Sequence, residues 1–419
     1  MNTTDADLAK KKTNRTLFIA FITIFLDLVG FGIIIPVQPF YAEMFGATPT
    51  QVTWLGASYS LMQFLFAPLW GRLSDRIGRR PVLMCGIFIS IIGYTLFGAA
   101  GSLPVLFLAR MLAGFGNANI GVAQALIADV TDRENRAKGM GIIGAAFGLG
   151  FTFGPAIGGL LGQISPEAPG YGAAVLGAVN LVLAWRLLPE TRKLSAATEQ
   201  AKDATHQRKV PLSFSALRRA SSAKNVLPIL VTTLTVITGF ALMEQIMGLY
   251  IEHVWLGSII TTSESAKHAT ALTAGFLVVV GITATIVQGG LIGRLVKRYG
   301  ELTLCKVGIV VLVVAMLATP VLVESKNIVL LLLCAALYAI GMGLFNPSIT
   351  SLLSKNVSET DQGGTLGLNQ SMASLGRFLG PAFAGMLFER QANLPFYTSA
   401  VMIGLSFFLV LRIKGPIQQ

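Results

Sequence analysis

Apolar runs long enough to cross a bilayer recur along almost the whole chain. A bilayer core needs about 20 apolar residues per helix. Runs of this kind lie near residues 16–40, 52–70, 82–101, 104–127, 139–162, 170–188, 227–250, 270–292, 303–322, 328–350, 364–388 and 395–412. The pattern predicts an all-α membrane protein with twelve transmembrane helices.

The composition supports a membrane protein and excludes several other classes. The chain has 419 residues, of which 53% are hydrophobic and 12% are charged, whereas soluble chains carry about 25% charged residues. No nucleophile–base set, metal-ligand cluster or phosphate-binding loop is evident, so we expect neither an enzyme nor a bound metal or cofactor.

The net charge of +12 is explained by its distribution among the loops. If the N-terminus is cytoplasmic and the spans alternate, nearly all Lys and Arg residues outside the spans face the cytoplasm. The opposite loops hold Lys267, Lys326 and Arg390. The positive-inside rule therefore predicts a multi-pass protein of the cell inner (plasma) membrane with both termini cytoplasmic. We expect these basic residues to lie at the surface of the lipid bilayer and not to bind nucleic acid.

A polar segment and an internal repeat divide the chain. Residues 189–226 lack apolar periodicity and are predicted to be a cytoplasmic linker between six-helix bundles at 16–188 and 227–413, with tails at 1–15 and 414–419. GRLSDRIGRR (71–80) recurs as GRLVKRYGEL (293–302), and FGLGFTFGPAIGGLL (147–161) recurs as ASLGRFLGPAFAGML (373–387). Two six-helix pseudo-repeats are a transporter architecture with substrate bound between the halves.

Charged residues lie within several predicted spans, where an uncompensated charge is costly. Asp27 lies in span 1, Arg110 in span 4 and Glu244 in span 7. A static ion pair is one explanation, although buried pairs often add little net stability. The alternative is proton coupling, in which Asp27, Glu244 or both carry the proton and Arg110 biases its release or competes with a cationic substrate.

Several motifs resemble those of one transporter family. GRLSDRIGRRP resembles the loop 2–3 signature of the major facilitator superfamily. LARMLAGFGNANIG (108–121), GLGFTFGPAIGG (148–159) and DLVGFGIIIPVQP (27–39) resemble its twelve-span drug/proton antiporter branch, including the tetracycline/proton antiporters. The resemblance implies the major facilitator fold and export by alternating access.

The resemblance also implies roles for two groups of residues. The loop motif would latch the outward-facing state, because Asp75 contacts the start of span 11 and forms a network with Arg79 and Asp129. The full latch set is Gly71, Asp75, Arg76, Gly78, Arg79, Arg80 and Asp129. The antiporter helix motif would lie between the halves and limit leak; it comprises Gly150, Gly154, Pro155, Gly158 and Gly159.

Substrate identity is less defined than family. Tetracycline exporters carry an acid, a histidine and another acid where this chain has Gly93, Ala284 and Leu312, so tetracycline is possible but not favoured. Spans 1, 4, 7 and 10 would surround the central cavity. The substrate-binding candidates are aromatic and amide side chains, namely Phe31, Gln38, Tyr59, Gln63, Asn117, Gln124, Gln245, Gln288, Tyr338 and Asn346.

The favoured function is therefore proton-driven export of small lipophilic or amphipathic compounds by a monomer. The alternative is proton-coupled uptake of a small metabolite, sugar or siderophore, which shares the fold but not the antiporter helix motif. A receptor or scaffold that has lost transport is a third class, and the charged residues within the spans argue against it.

Overall fold

The computed structural model describes residues 3–130, 136–190, 225–257, 263–357 and 362–413. No strand occurs in these ranges. The helices of the first half are α1 (Thr3–Ile34), α2 (Gln38–Glu43), α3 (Pro49–Ile77), α4 (Arg79–Gly98), α5 (Leu103–Gly116), α6 (Ile120–Val130), α7 (Arg136–Gly162) and α8 (Ala168–Leu187). Those of the second half are α9 (Val226–Leu256), α10 (Ser263–Ala284), α11 (Ile292–Tyr299), α12 (Glu301–Glu324), α13 (Ile328–Lys355), α14 (Gln362–Arg390) and α15 (Leu394–Leu411).

The described helices form twelve long helical segments, two of which consist of two consecutive helices. A 3₁₀ turn at 117–119 joins α5 to α6, and a π-helical segment at 285–291 joins α10 to α11. Within the described ranges, 9 helices are long and apolar enough to cross a membrane, and α3, α7 and α14 are three further long helices of the bundle. This all-helical architecture confirms the predicted fold class, and the number of long helical segments is consistent with the predicted twelve spans.

The first helix differs from its predicted bounds at both ends. It begins at Thr3, because the Ala, Leu and Lys residues of the predicted tail are good helix formers. It ends at Ile34, two residues before Pro36, since the residue before a proline is disfavoured in the α conformation. The chain then turns into α2, which crosses the end of the bundle. The predicted linker at 189–226 lies mostly outside the described residues.

Glycines, which have no side chain, allow the helices of each half to approach closely. A Cβ atom added at Gly158 of α7 would overlap the carbonyl oxygen of Ile33 on α1. In the second half, a Cβ atom added at Gly380 of α14, the counterpart of Gly154, would lie 2.6 Å from the backbone nitrogen of Leu242 on α9. Small residues at regular spacing permit this backbone contact in membrane bundles. Each repeat therefore packs its fifth span against its first span.

The same two helices also carry the contact between the halves. A Cβ atom added at Gly159 of α7 would lie 2.5 Å from the Cβ atom of Ala274 on α10. At the repeat-related position, a Cβ atom added at Gly385 of α14 would overlap Thr50 of α3. The two glycine motifs found in the sequence thus serve equivalent interfaces in the two repeats.

The two halves are joined at one end of the bundle. We call the end that carries residues 71–80 the motif end, and the end that carries the loops at 44–48 and 163–167 the closed end. At the closed end, Thr50 N donates to Glu389 Oε1 at 3.0 Å, and Gln163 Nε2 donates to the carbonyl oxygen of Lys267 at 2.9 Å. Phe40 of α2 packs against buried alanines of α10. These contacts bring both halves together on this side.

The α7–α1 contact predicts a sharp difference between two glycines. We expect Gly158→Ala to lower the stability of the protein by about 1–3 kcal/mol, because the added methyl group overpacks the interface. Gly275→Ala on α10 is the matched control, since an added Cβ atom has nothing within 4 Å and helix propensity improves. Thermal unfolding of the purified variants in detergent, followed by tryptophan fluorescence, measures both. Equal melting temperatures would contradict the packing argument.

Candidate functional site

A cavity lies between helices of the two halves. Its wall is formed by α1, α2 and α5 from the first half and by α9 and α10 from the second half. The lining residues are Phe31, Ile35, Gln38, Pro39, Arg110, Glu244, Gln245, Met247, Gly248, Thr273, Phe276 and Leu277. One cation, one acid and two amides are therefore set among apolar side chains. We call this space the central cavity.

Arg110 is the cation of the central cavity, and it is held by aromatic rings. Its side chain is buried, with 4% of its surface exposed. The guanidinium carbon lies 4.4 Å from the ring centre of Tyr59 and 5.8 Å from that of Phe31. Cation–π contacts contribute about 2 kcal/mol when desolvated. Nε and Nη1 have no hydrogen-bond partner within the described part of the chain, so two buried donors remain for a group that enters.

Glu244 supplies the negative charge of the central cavity from the second half. It interacts electrostatically with Arg377 of α14. Arg377 also donates from Nη2 to Ser374 Oγ at 3.3 Å. Each half thus contributes an arginine to the region of the cavity, while the acid that lines it comes from the second half.

Asp27 lines a different cavity, which lies within the first half. This cavity is formed by α1, α4, α6 and the 3₁₀ turn. Thr23, Asp27 and Asn119 are its polar lining residues. The structure therefore separates Asp27 from the wall that holds Arg110 and Glu244. Helix periodicity places Thr23 and Asp27 on one face, but it does not decide which neighbour that face contacts.

Asn117 connects Asp27 to the aromatic side of the central cavity. With its amide oriented to satisfy every neighbour, its nitrogen donates to Asp27 Oδ1 at 3.3 Å, to Oδ2 at 3.2 Å and to Ser90 Oγ at 2.8 Å. Its oxygen accepts from the hydroxyls of Tyr94 at 2.9 Å and Tyr59 at 3.1 Å. Because Tyr59 also carries the Arg110 guanidinium, a continuous chain of contacts runs from Asp27 to the central cavity.

Two other amide candidates lie in the first half. Gln63 donates from Nε2 to the Tyr59 hydroxyl at 3.1 Å and to the carbonyl oxygen of Asn117 at 3.2 Å. It therefore supports the network behind the wall. Gln124 lies on α6, partly buried, and is not part of the central cavity wall.

The remaining candidates of the second half also lie away from the central cavity. Tyr338 is completely buried, and its hydroxyl is hydrogen-bonded to Thr319 of α12. Gln288 and Asn346 are exposed. In the cavity itself, α10 contributes Thr273, Phe276 and Leu277, which we did not select from the sequence. Their three- and four-residue spacing gives one helical face, but an apolar face alone does not distinguish a cavity wall from lipid contact.

The loop motif forms an ion-pair network at the motif end. Arg79 Nη1 lies 2.7 Å from Asp75 Oδ1, and Arg79 Nε lies 3.2 Å from Asp129 Oδ2. These three residues, which we call the latch triad, join α3, α4 and α6. Arg76 is exposed, and a Cβ atom added at Gly71 has nothing within 4 Å.

Glu190 completes the loop motif and was not identified from the sequence. Its carboxylate accepts from the backbone nitrogens of Arg79 at 3.1 Å and Arg80 at 3.3 Å, which caps the start of α4. The Arg80 guanidinium donates to the carbonyl oxygen of Trp185. Gly78 has a φ of 110°, and an added Cβ atom would overlap Glu190. Glycine is therefore required at 78 by both conformation and space.

The second repeat has opposite charges at the three positions of the latch triad. The register of the two GRL motifs places Lys297 at the position of the triad's first acid and Glu301 at that of its arginine. The register of the two glycine–proline motifs places Lys355 at the position of its second acid. Glu301 Oε1 binds Lys355 Nζ and accepts from Ser351 Oγ at 3.1 Å. Spans 9 and 10 are therefore tied by the same pairing as spans 3 and 4, with opposite signs.

Comparison with known proteins gives consistent family matches. The model of the Major Facilitator Superfamily matches residues 20–381 and, in a second overlapping match, 255–418. Multidrug resistance protein 1 of Bacillus subtilis (strain 168) is 28% identical over 410 residues, covering 97% of this chain and 98% of that protein. Tetracycline resistance protein, class E, of Escherichia coli is 31% identical over 381 residues, covering 90% and 88%.

Solved transporters share the fold at lower sequence identity. The human organic anion transporter MFSD10 (TETRAN) superposes with a TM-score of 0.69 at 22% identity, covering 95% of this chain and 99% of that one. The nucleoside transporter NupG superposes with a TM-score of 0.73 at 16% identity, covering 94% and 97%. At these identities the likeness concerns the fold alone.

For the Glu301–Lys355 pair, we predict that exchanging the two charges preserves stability, whereas reversing one charge alone lowers it. We expect Glu301→Lys and Lys355→Glu each to lower stability by about 1 kcal/mol, since partly exposed pairs contribute little and like charges repel. The double exchange should restore the melting temperature. Arg294→Glu, on an exposed arginine of the same segment, is the control and should have little effect. Thermal unfolding of the four variants measures this, and a double exchange no better than the single changes would contradict the pairing.

Proposed function

Because the chain belongs to the Major Facilitator Superfamily, we propose that it exports small amphipathic compounds in exchange for protons by alternating access. Membership of this family makes the protein a multi-span membrane transporter of small molecules and not an enzyme. The observation that carries the export proposal is the central cavity between the halves. It combines a buried arginine with free donors, an acid and aromatic surface.

The mixed wall of the cavity supports an amphipathic substrate. Phe31, Phe276 and Met247 offer apolar and polarisable contact, which adapts to ligands of different shape. The two free donors of Arg110 suit an acceptor group on the substrate, such as a carboxylate or enolate. Glu244 suits a basic group. The relatives, which include multidrug and tetracycline resistance proteins, support the same substrate class.

Tetracycline itself is less favoured than a broader set of compounds. At the position of the third-span acid, a Cβ atom added at Gly93 would lie 2.7 Å from the backbone nitrogen of Ala113. At the position of the ninth-span acid, Leu312 is completely buried. Both positions are therefore used for packing in this chain, which supports an exporter whose polar set differs from that of tetracycline carriers.

The orientation proposal places the motif end in the cytoplasm. The positive-inside rule supports it, because the motif end carries most of the Lys and Arg residues. The closed end would then face outward, and the contacts between the halves at that end support an inward-facing or occluded arrangement. The latch triad would strengthen the opposite, outward-facing arrangement when Asp75 meets the start of α14.

The proton pathway that we propose begins at Asp27 and is coupled to the cavity through Asn117. A substrate acceptor that binds Arg110 would change how the guanidinium rests on Tyr59. The hydrogen bond from Tyr59 to Asn117 would transmit this change to the amide that donates to Asp27. Substrate binding would thereby alter proton affinity at a carboxylate that lies in a separate cavity. This arrangement supports exchange, because substrate and proton need not share one space.

Uptake of a small metabolite, sugar or siderophore remains the second candidate. The central cavity alone suits either direction. The packing of Gly159 against α10 across the halves favours export, because it is the part of the structure that corresponds to the antiporter helix motif. A substrate panel in energised inside-out vesicles separates the two candidates.

Loss of the Asp27 carboxylate tests the coupling. We expect Asp27→Asn to reduce substrate-induced proton release from the lumen of energised inside-out vesicles by about tenfold or more, corresponding to at least 1.4 kcal/mol. The amide has the shape of the acid but cannot carry the proton. Glu264→Gln, on an exposed acid of α10, is the control and should release protons normally. Unchanged proton release in Asp27→Asn would reject Asp27 as an essential carrier.

Substitution of Glu244 tests its role in reading substrate charge. We expect Glu244→Gln to weaken binding of cationic compounds by about tenfold, or ~1.4 kcal/mol, and to leave neutral compounds nearly unchanged. The reason is that the side chain keeps its size and loses only its charge. Binding of matched cationic and neutral dyes to the purified protein measures the difference. Equal effects on both classes would remove Glu244 from this role.

A further inference from the structure

Two acids meet at the closed end of the bundle, apart from the residues used above. Glu43 lies at the end of α2 in the first half, and Glu252 lies near the end of α9 in the second half. Their exposed fractions are 6% and 3%. The two carboxyl groups are within hydrogen-bond distance of each other. This contact therefore joins the halves at the place where they are closed.

Nearby charged groups are engaged elsewhere. Within the described residues, Glu252 is the charged side chain that acts on Glu43. On α9, the next residue, His253, packs edge-on against Phe388 of α14. The carboxylate of Glu389 accepts from the backbone of α3. The remaining charged groups on α10 near this end are Glu264, Lys267 and His268, and none of them acts on Glu43.

Chemistry requires a proton in this contact. Two ionised carboxylates cannot share a buried site, because each lacks solvation and each repels the other. Burial, and then the neighbouring Glu252 carboxyl, raise the pKa of Glu43 above its ordinary value. Glu43 Oε2 has no hydrogen-bond partner among the described residues, which fits a group that is neutral when the end is closed.

We propose that Glu43 and Glu252 form a second proton-binding site, which takes up a proton from the closed side when the halves come together there. The proposal rests on the proposed orientation, in which this side faces outward. External acid would then favour closure after substrate release and so drive the return to the inward-facing arrangement. This role is separate from that of Asp27, which lies inside the first half.

The sign of the pH effect follows from proton linkage. When the closed end opens, water reaches both acids, and the pKa of Glu43 falls toward its ordinary value. The closed state therefore binds more protons than the open state at intermediate pH. At pH values between the pKa of the site in the open state and its higher pKa in the closed state, the ratio of closed to open molecules falls about tenfold per pH unit for one linked proton. Low external pH keeps this end closed, and rising pH opens it.

Cysteine accessibility can measure the opening of the closed end directly. Thr270 of α10 is buried, with 2% of its surface exposed, and it faces Gly162 of the other half. We would introduce Thr270→Cys in a Cys85→Ala background, since the other two cysteines are buried. A membrane-impermeant maleimide is added outside right-side-out vesicles without substrate or gradient. Lys326→Cys, at an exposed position of the same end, is labelled in parallel. The labelling rate of Thr270→Cys is divided by that of Lys326→Cys, which removes the pH dependence of the reaction of the thiol with maleimide.

The expected result is a normalised labelling rate that rises about tenfold or more between pH 6 and pH 9 with both acids present. The double variant Glu43→Gln/Glu252→Gln should label slowly at every pH, because two amides keep the contact without a charge. Glu324→Gln is the matched control. It removes an exposed acid at the same end whose carboxylate is bound within the second half, and it should keep the full pH profile.

Three outcomes would overturn the proposal: a flat profile with both acids present, an unchanged pH profile in the double variant, or loss of the profile in Glu324→Gln. If the double variant does not fold, the single variant Glu43→Gln must show a weakened profile. The assay involves neither substrate nor proton-driven export. Failure of the proposed export function with a normal labelling profile would therefore leave this site standing, and the reverse result would leave export standing.

Discussion

Burial of the Arg110 guanidinium is the constraint on which the architecture of the site depends. A cation within a membrane bundle must be paired, solvated or placed on a polarisable surface. Here the surface is the ring of Tyr59, which is itself stacked on Phe31 with 4.8 Å between ring centres. The Tyr59 hydroxyl donates a hydrogen bond to the Asn117 amide, and that amide donates to the Asp27 carboxylate. One buried charge thus organises the aromatic wall, the amide behind it and the acid in the neighbouring cavity.

Close packing of helices determines where such a cavity can form. Glycines of α7 and α14 bring each fifth span against its own first span and against the opposite half. The same pattern in both repeats gives the bundle its approximate two-fold symmetry. Because the halves meet through small residues and a few hydrogen bonds at the closed end, the interface is suited to separation. Each half remains internally packed while that happens.

The charge-reversed triad shows which part of a repeated motif carries structural meaning. In the first half an arginine is held by two acids, and in the second half Glu301 is held by Lys355 at the corresponding place. The Coulomb energy of a pair depends on the product of the charges, so reversal of both signs preserves the attraction. The two repeats therefore have opposite charges at the equivalent triad positions.

The sequence by itself determined the helical membrane architecture, the repeat and the presence of charged residues within spans. Long apolar runs have few alternatives in a bilayer, and motif register is visible without coordinates. Phe31, Gln38, Arg110, Glu244 and Gln245 were selected from span membership and polarity, and the structure places all five in one wall. Tertiary structure alone decided that Asp27 faces another cavity and that Glu190 caps α4. It also decided that Glu43 meets Glu252 across the halves. Periodicity defines a face of a helix, but the neighbour of that face depends on helix rotation, tilt and packing between residues far apart in the chain.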